Sequence, residues 1–424
     1  MVMKKEENDA LTLTGVDTPM GKLLRHFWTP AIRSSALAAD GAPVRVKLYG
    51  QKFVAFRTTD GKVGFVDEAC PHRGVSLALG RNEGNGLRCI FHGWKMDANG
   101  AVVDAPCEPA ARRERFCASI RMPRYGVREA AGVVWVYLGG GEAPRFPDFE
   151  FNTLPADHVC IRRAVVPYNW LQGVEAHIDS SHVGLLHSGF LTVNDDKLEP
   201  ATRANLAQMM SDKAPTFEMN PTPYGLQESA LRKMGDGSTY ARVREIVLPF
   251  YTFIPGPQDG PCGGRMSVPI DDETSAEWYI VYDPRRPLTK EVIDTTFFNT
   301  SDDPDNFALN MGDASNLWGQ DREAMKNGHF SGLTTNLSFE DFVVQASMGR
   351  RYDRSQEQLG SADIIIVKVR KMMSEALVML EKGGKVPWLE GFSYPAIRAQ
   401  SLVYGPTNSW RDFSREGQEA SANS

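Results

Sequence analysis

The sequence predicts an α+β protein of two domains: a small N-terminal β domain followed by a larger antiparallel-sheet domain with covering helices. Three observations predict it. Between Val44 and Leu138, short β-branched and aromatic runs are separated by "DG" and "NG" turns. The Gly- and Pro-rich stretch "GGGEAPRFPDFEF" (Gly139 to Phe151) then closes that region as a linker. Beyond it, strand-like runs return together with a long segment of helical apolar spacing near the C-terminus. Length agrees, because 424 residues exceed what one ordinary core encloses. The expected divisions are a helical N-terminal segment over 1–41, a β domain over 42–148 and a catalytic domain over 149–424.

In chain order, "TPMGKLLRHFW" (Thr18 to Trp28) reads as a helix in the N-terminal segment, which is expected to pack on the larger domain. Thr18 suits the N-cap, Pro19 the first helical position, and Pro30 follows the end. Strands follow at "VRVKLYG", "KFVAFRTTDGKVGFVD" and "GVVWVYLG". After the linker come a strand at "CIRRAVVPY", a helical segment around "EAHIDSSHVGLLHS" (Glu175 to Ser188), and strands at "TYARVREIVLPFYTFIP" and "SAEWYIVYDP". From Ser361 to Lys382, Ile365, Val369, Met372, Met373, Ala376, Leu377 and Leu380 recur at helical spacing, with Gly383 and Gly384 to end a helix that covers a sheet.

The net charge of −6 gives no reason to expect nucleic acid or an anionic membrane surface as partner. The N-terminal lysines precede no apolar core, so no signal peptide is read there. No apolar run is long enough to span a bilayer, and a cytoplasmic protein is expected. Six cysteines are too sparse for a disulfide framework. Cys107, Cys117, Cys160 and Cys262 stand alone and read as small buried apolar side chains.

Cys70 and Cys89 each have a histidine close by. In "CPHRG" Cys70 and His72 are two apart; in "CIFHGW" Cys89 and His92 are three apart, and sixteen residues separate His72 from Cys89. Pro71, Gly74, Gly86 and Gly93 allow tight turns, so two loops can bring two thiolates and two imidazoles to one metal site. A structural zinc accepts such a set, although its usual spacing pairs Cys with Cys and His with His. A two-iron, two-sulfur cluster with cysteines on one iron and histidines on the other accepts it as well, and relays single electrons at raised potential. The two motifs closely resemble the cluster motif of the Rieske family. The resemblance implies a Rieske [2Fe–2S] cluster held by Cys70, His72, Cys89 and His92, in a Rieske-type β domain.

More than 250 residues follow the β domain, and "EAHIDSSHVGLLHS" concentrates candidate ligands there: Asp179, His182 and His187. Asp179 and His182 are three apart, neighbours on a helical face. His182 and His187 are five apart, which turns the helix by roughly 140°. Both reach one metal only where the helix bends or ends, and Gly184 lies where it can. His177 reads as structural. Two imidazoles and a carboxylate are the facial triad that binds Fe(II) and leaves positions open for dioxygen.

The run "NWLQGVEAHIDSSHVGLLH" resembles the mononuclear-iron motif of Rieske non-haem iron oxygenase large subunits. The resemblance implies a helix-grip catalytic domain, iron ligands His182 and His187, and Asp179 as a hydrogen-bonded bridge between the two centres across a subunit boundary. It also implies a third ligand, an Asp in a late helix shortly before a Gln. Within "NLSFEDFVVQASMG", Asp341, four before Gln345, fits that place; Ser338 suits the N-cap, and Glu340 beside Asp341 is the competing ligand.

Fe(II) and O2 imply an oxygenase fed with electrons from outside. The glycine run "GGGEAP" leads into prolines and not a helix, so it is no nucleotide fingerprint. A separate NAD(P)H-dependent reductase, with or without a ferredoxin, is therefore expected. The N-terminal run, the early strands and the late helix resemble the phthalate-dioxygenase-like branch. That implies dihydroxylation or hydroxylation of an aromatic carboxylate, phthalate-like or phenoxybenzoate-like; the family forms homotrimers, sometimes hexamers of stacked trimers. An O-demethylase or monooxygenase on an aryl ether is the runner-up, and an electron-transfer Rieske protein without oxygenase activity is the alternative of another class. A carboxylate in an apolar pocket needs a cation. Of Arg203, Arg232, Arg242 and Arg244, Arg242 and Arg244 share one strand face; they are expected to meet the substrate, or else to form a solvent-facing stripe. Ser180 is a further candidate donor to substrate.

Overall fold

The computed structural model describes residues 3–189, 200–210, 212–256, 260–297, 303, 307 and 312–413. The chain divides into two units: Leu13–Pro147 with Pro269–Asp271, and Met1–Thr12 with Asp148–Val268 and Asp272–Ser424.

The smaller unit holds three antiparallel sheets. One joins Val44–Leu48, Gln51–Arg57 and Val63–Asp67, the last two across the expected "DG" turn at Asp60–Gly61 and the first two across Tyr49–Gly50. A second sets Val133–Tyr137 between Thr29–Arg33 and Gly126–Ala130. The third is a run of very short strands, Arg81–Asn82, Leu87–Arg88, Lys95–Met96 and Val102–Asp104. Its core joins Val54, Phe56, Val66, Leu77, Leu87 and Met96 to Cys70, Cys89 and Trp94. A helix at Pro19–Leu24 starts as expected, with the Thr18 hydroxyl accepting the Gly21 N–H and Pro19 at its first turn.

The expected division is corrected at its N-terminal end. Residues 13–41 belong to the smaller unit, because strand Thr29–Arg33 is paired there and the Thr29 hydroxyl bonds the Tyr49 hydroxyl. Only the helix Lys5–Thr12 lies with the larger unit. The Gly/Pro linker is also no loose tether: Trp28 donates to the Pro144 carbonyl and stacks edge-on with Phe146.

In the larger unit, strands Thr216–Thr222, Gly225–Lys233, Thr239–Val247, Tyr251–Ile254, Cys262–Pro269 and Ser275–Tyr282 follow one another as an antiparallel meander. Val159–Val166 pairs with the last of them, and Gln400–Tyr404 adds to Thr239–Val247. The helix Trp170–Ile178 follows Val159–Val166 directly and lies on this sheet. Gly173 makes the close approach possible, since a Cβ there would fall 2.3 Å from Ser267 Oγ and Glu277 Oε1. The long C-terminal helix spans Ile364–Glu381 and ends at Gly383 with φ +73°. Among the described residues no helix is long and apolar enough to cross a membrane.

Candidate metal centres

The two cysteine–histidine loops of the smaller unit repeat one backbone device. The Cys70 N–H donates to the Val75 carbonyl and the Gly74 N–H returns to the Cys70 carbonyl; Cys89 does the same with Trp94 and Gly93. Each closing glycine is left-handed, with φ +73° at Gly74 and +72° at Gly93. Both cysteines are buried while His72 is exposed, and the two imidazoles lie edge to face, 4.6 Å between centroids. Burial, with Cys89 beside it, pushes the Cys70 thiol up to about 11. Two adjacent thiols in an apolar wall, and a buried His92 Nδ1 with no hydrogen-bond partner, fit a cationic iron–sulfur group held from both sides. Cys107 departs from expectation: it is exposed, its thiol directed at the His92 carbonyl.

In the larger unit the helix Trp170–Ile178 is capped by Asn169 and stops at Asp179, whose ψ of 121° is extended. The helix break therefore falls at 179–181 and not at Gly184, which sits inside the short helix Val183–Leu186. His182 and His187 flank that single turn, which is how residues five apart come to face one another, with ring centroids 5.2 Å apart. The third partner arrives on the helix Leu337–Ser347. Asn336, not Ser338, is its N-cap: the Asn336 side chain accepts the Phe339 N–H, which starts the helix earlier than expected.

His182, His187 and Asp341 each offer a ligand atom within 4.8 Å of the others. His182 Nε2 lies 3.4 Å and His187 Nε2 3.2 Å from the same Asp341 oxygen. The opposite ring nitrogens meet two further carboxylates: His182 Nδ1 lies 3.3 Å from Asp179, and His187 Nδ1 2.7 Å from Glu340. Burial opposes charge on His182, but Asp179 and Asp341 outweigh it and raise its pKa to about 10. Burial likewise opposes charge on Asp341, and the two histidines overcome it and hold the carboxyl well below the usual range. His182, His187 and Asp341 converge so that one cation can be held among them, and this donor set fits a divalent iron with open positions. Asp179 also accepts the Ser181 N–H, which fixes the turn between the two helices. Glu340 is fully buried and engaged with His187 Nδ1 and Ser331, apart from the group that His182, His187 and Asp341 form.

The arginines separate. Thr239–Val247 is buried along its whole length, so no solvent-facing stripe exists there. Arg244 stands opposite Glu228 and pairs with it at 2.8 Å, while its other nitrogens donate to the His177 and Ile178 carbonyls. It holds the helix end before Asp179, and the expectation that it meets substrate is corrected on that ground. Arg242 stands opposite Ala230, which offers no charge; its Nη1 lies 3.3 Å from Ser180 Oγ and its Nε has no partner. Burial, and then Arg244, push Arg242 down to about 10, still a cation at neutral pH. Arg232, fully buried, donates to the Ser180 carbonyl, and Arg203 is exposed. His177 lies 3.2 Å from the buried Glu277, apart from the group that His182, His187 and Asp341 form. A cavity of about 580 Å³ opens on Asp179, His182 and Asp341 and is walled by Leu186, Val344 and Arg370.

A Rieske [2Fe–2S] domain family matches residues 27–123, and a family described as LigXa C-terminal domain like matches residues 136–424. The chain belongs to the Rieske non-haem iron oxygenases. This oxygenase is 36% identical over 423 residues to the phthalate 4,5-dioxygenase oxygenase subunit of Pseudomonas putida, covering 97% of this chain and 95% of that one. It is also 36% identical to the 3-chlorobenzoate-3,4-dioxygenase oxygenase subunit of Comamonas testosteroni, with 90% of each chain covered. Among solved structures, a carbazole-bound oxygenase in the ferredoxin complex of carbazole 1,9a-dioxygenase aligns with a TM-score of 0.58 over 88% of this chain and 95% of that one. At 20% identity, that likeness concerns the fold. Membership gives the cofactors of this oxygenase: a Rieske [2Fe–2S] cluster, a mononuclear iron, and O2 as co-substrate.

Proposed function

We propose that the oxygenase acts on an aromatic ring bearing a carboxylate, phthalate-like or phenoxybenzoate-like, and dihydroxylates or hydroxylates it. The observation that carries this reading is Arg242, a buried guanidinium with one unpartnered nitrogen, resting on Ser180 two residues before His182. A buried cation facing no carboxylate of its own strand pair suits an anionic ligand that arrives from outside. The cavity on the Asp179 side is a poor candidate for that anion, since Asp179, Asp341, Glu357 and Asp363 line it. Relatives named for phthalate, 3-chlorobenzoate and phenoxybenzoate, all aromatic carboxylates, support the same class.

In this reading Cys70, His72, Cys89 and His92 hold the cluster, and His182, His187 and Asp341 hold the mononuclear iron. Bound there, iron supplies dioxygen activation, with electrons relayed through the cluster from a separate NAD(P)H-dependent reductase, directly or through a ferredoxin. Asp179 keeps the His182 Nδ1–H engaged so that Nε2 is left for the metal. In a homotrimer, or a hexamer of stacked trimers, Asp179 would serve as the hydrogen-bonded bridge to a cluster histidine of the next subunit. Dependence on an NAD(P)H reductase supports a cytoplasmic location.

The test is a turnover screen with a Rieske reductase, using phthalate isomers, chlorobenzoates, a phenoxybenzoate and a methoxybenzoate, read by O2 uptake and product. A cis-dihydrodiol or hydroxylated acid from a carboxylate, and none from the decarboxylated ring, is expected. Formaldehyde from the methoxybenzoate without ring oxidation identifies instead an O-demethylase, the reading favoured by 29% identity to 5,5'-dehydrodivanillate O-demethylase. Iron near two atoms per chain rather than about three, with no product, returns the electron-transfer reading. Arg242→Ala removes a charge-assisted contact worth about 1.5–3 kcal/mol, so kcat/KM for the carboxylate falls roughly ten- to hundredfold. An unchanged value places the anion elsewhere.

A further inference from the structure

Glu340 stands next to Asp341 in sequence but grips the other side of the same imidazole. Successive residues on a helix point about 100° apart. Asp341 therefore meets His187 Nε2 at 3.2 Å while Glu340 Oε2 meets His187 Nδ1 at 2.7 Å. Both partners of the second contact are withdrawn from water, His187 at 2% exposure and Glu340 at 0%. A neutral imidazole has one N–H and one lone pair, and a carboxylate at Nδ1 accepts the N–H, which leaves the lone pair on Nε2.

The carboxylate is itself held. The Ser331 hydroxyl donates to Glu340 Oε1, and the Leu333 N–H donates to Ser331 Oγ. His329 Nδ1 accepts the Gly332 N–H, which closes the loop that carries Ser331. That loop lies hard against the segment after His187: a Cβ at Gly189 would fall 2.5 Å from the Phe330 nitrogen. Ring, carboxylate and hydroxyl thus form a chain anchored at both ends.

We infer that Glu340 is a positioning residue for the mononuclear iron: it fixes the tautomer and plane of His187, and Ser331 fixes Glu340. The inference rests on the reading of His182, His187 and Asp341 as the iron ligands. Outer carboxylates of this kind raise the basicity of the ligand they hold, and their loss weakens metal binding by about ten- to a hundredfold.

The experiment uses the full-length oxygenase with its cluster intact, depleted of mononuclear iron and titrated with Fe(II). Binding is read by retained iron, and ligand geometry by the EPR spectrum of the adduct with added nitric oxide. Glu340→Ala is expected to weaken Fe(II) binding by about ten- to a hundredfold and to broaden the EPR signal. Glu340→Gln, which keeps an acceptor oxygen, is expected to recover most of both. Ser331→Ala, with a smaller loss in the same direction, serves if Glu340→Ala does not fold. Wild-type affinity and spectrum in folded Glu340→Ala, or Gln as defective as Ala, overturn the inference. Undiminished iron binding in His187→Ala overturns the ligand reading beneath it; loss there with none in the Glu340 variants overturns this inference alone.

Discussion

The cluster loops and the candidate mononuclear site are built by opposite means. Around Cys70 and Cys89, each loop is closed by its own backbone within six residues, and a left-handed glycine makes the closure. Around Asp341, nothing is local: the candidate ligands come from a short helix and from a helix more than a hundred residues later, and side-chain carboxylates tie them together. The first site is specified by turn conformation, the second by long-range packing and charge. Substitutions should therefore separate them cleanly, and the largest effects are expected at the ligands. Cys89→Ser is expected to abolish the visible cluster spectrum while mononuclear iron remains. His187→Ala should do the reverse. Turnover falls more than about a hundredfold in both, because even an outer-shell loss reaches that scale. Loss of both metals in either variant would break the contrast.

The same difference decides what was legible in the sequence. The two loops that carry Cys70, His72, Cys89 and His92 are readable because each is closed within its own short spacing. His182 and His187 are readable as a pair, yet the bend that unites them is not: Gly184 draws the eye, while the break comes from Asp179 accepting the Ser181 N–H. Asp341 could be found by looking for a late carboxylate, but not told apart in role from Glu340, since both sit in one turn. Arg242 and Arg244 share a strand face by period, and only cross-strand register distinguishes them, Ala230 opposite one and Glu228 opposite the other. The long C-terminal helix was legible from its apolar period, whereas the cap at Asn336 and the end at Leu24 were not. Residues 13–41 were misassigned because strand pairing between Thr29–Arg33 and Val133–Tyr137 leaves no local signal.

Long-range charge should matter most just upstream of the mononuclear site. Glu175, one turn before Asp179, is gripped by Arg354 at 2.7 Å and Arg370 at 2.6 Å, and Arg354 also reaches Asn8 on the N-terminal helix. Burial would raise the Glu175 pKa, but the two arginines outweigh it and hold it below the usual value near 4.5. A lowered folded-state pKa gives stability that is present above pH 4.5 and lost as pH falls through the lower, folded value. Removing one partner of a buried ion pair costs about 3–5 kcal/mol. Glu175→Gln should therefore lower the Tm at neutral pH and flatten the acid limb of the stability curve, with the cluster spectrum unchanged. A variant that keeps the wild-type acid limb places the stabilising charge elsewhere.

The smallest effects test whether the cluster site really is specified by turns. Gly74 and Gly93 share a left-handed φ but differ in surroundings: a Cβ at Gly74 meets nothing within 4 Å, whereas one at Gly93 falls 2.7 Å from Pro106 Cγ. Gly74→Ala should then cost only the left-handed penalty, about 1–2 kcal/mol, seen as a modest drop in Tm with the cluster still assembled. Gly93→Ala must in addition displace a proline ring, which cannot rotate away, so its loss of Tm and of cluster content should be the larger of the two. Equal effects would mean that φ alone governs both loops; no effect at either would mean that the ligands, not the turns, hold this site together.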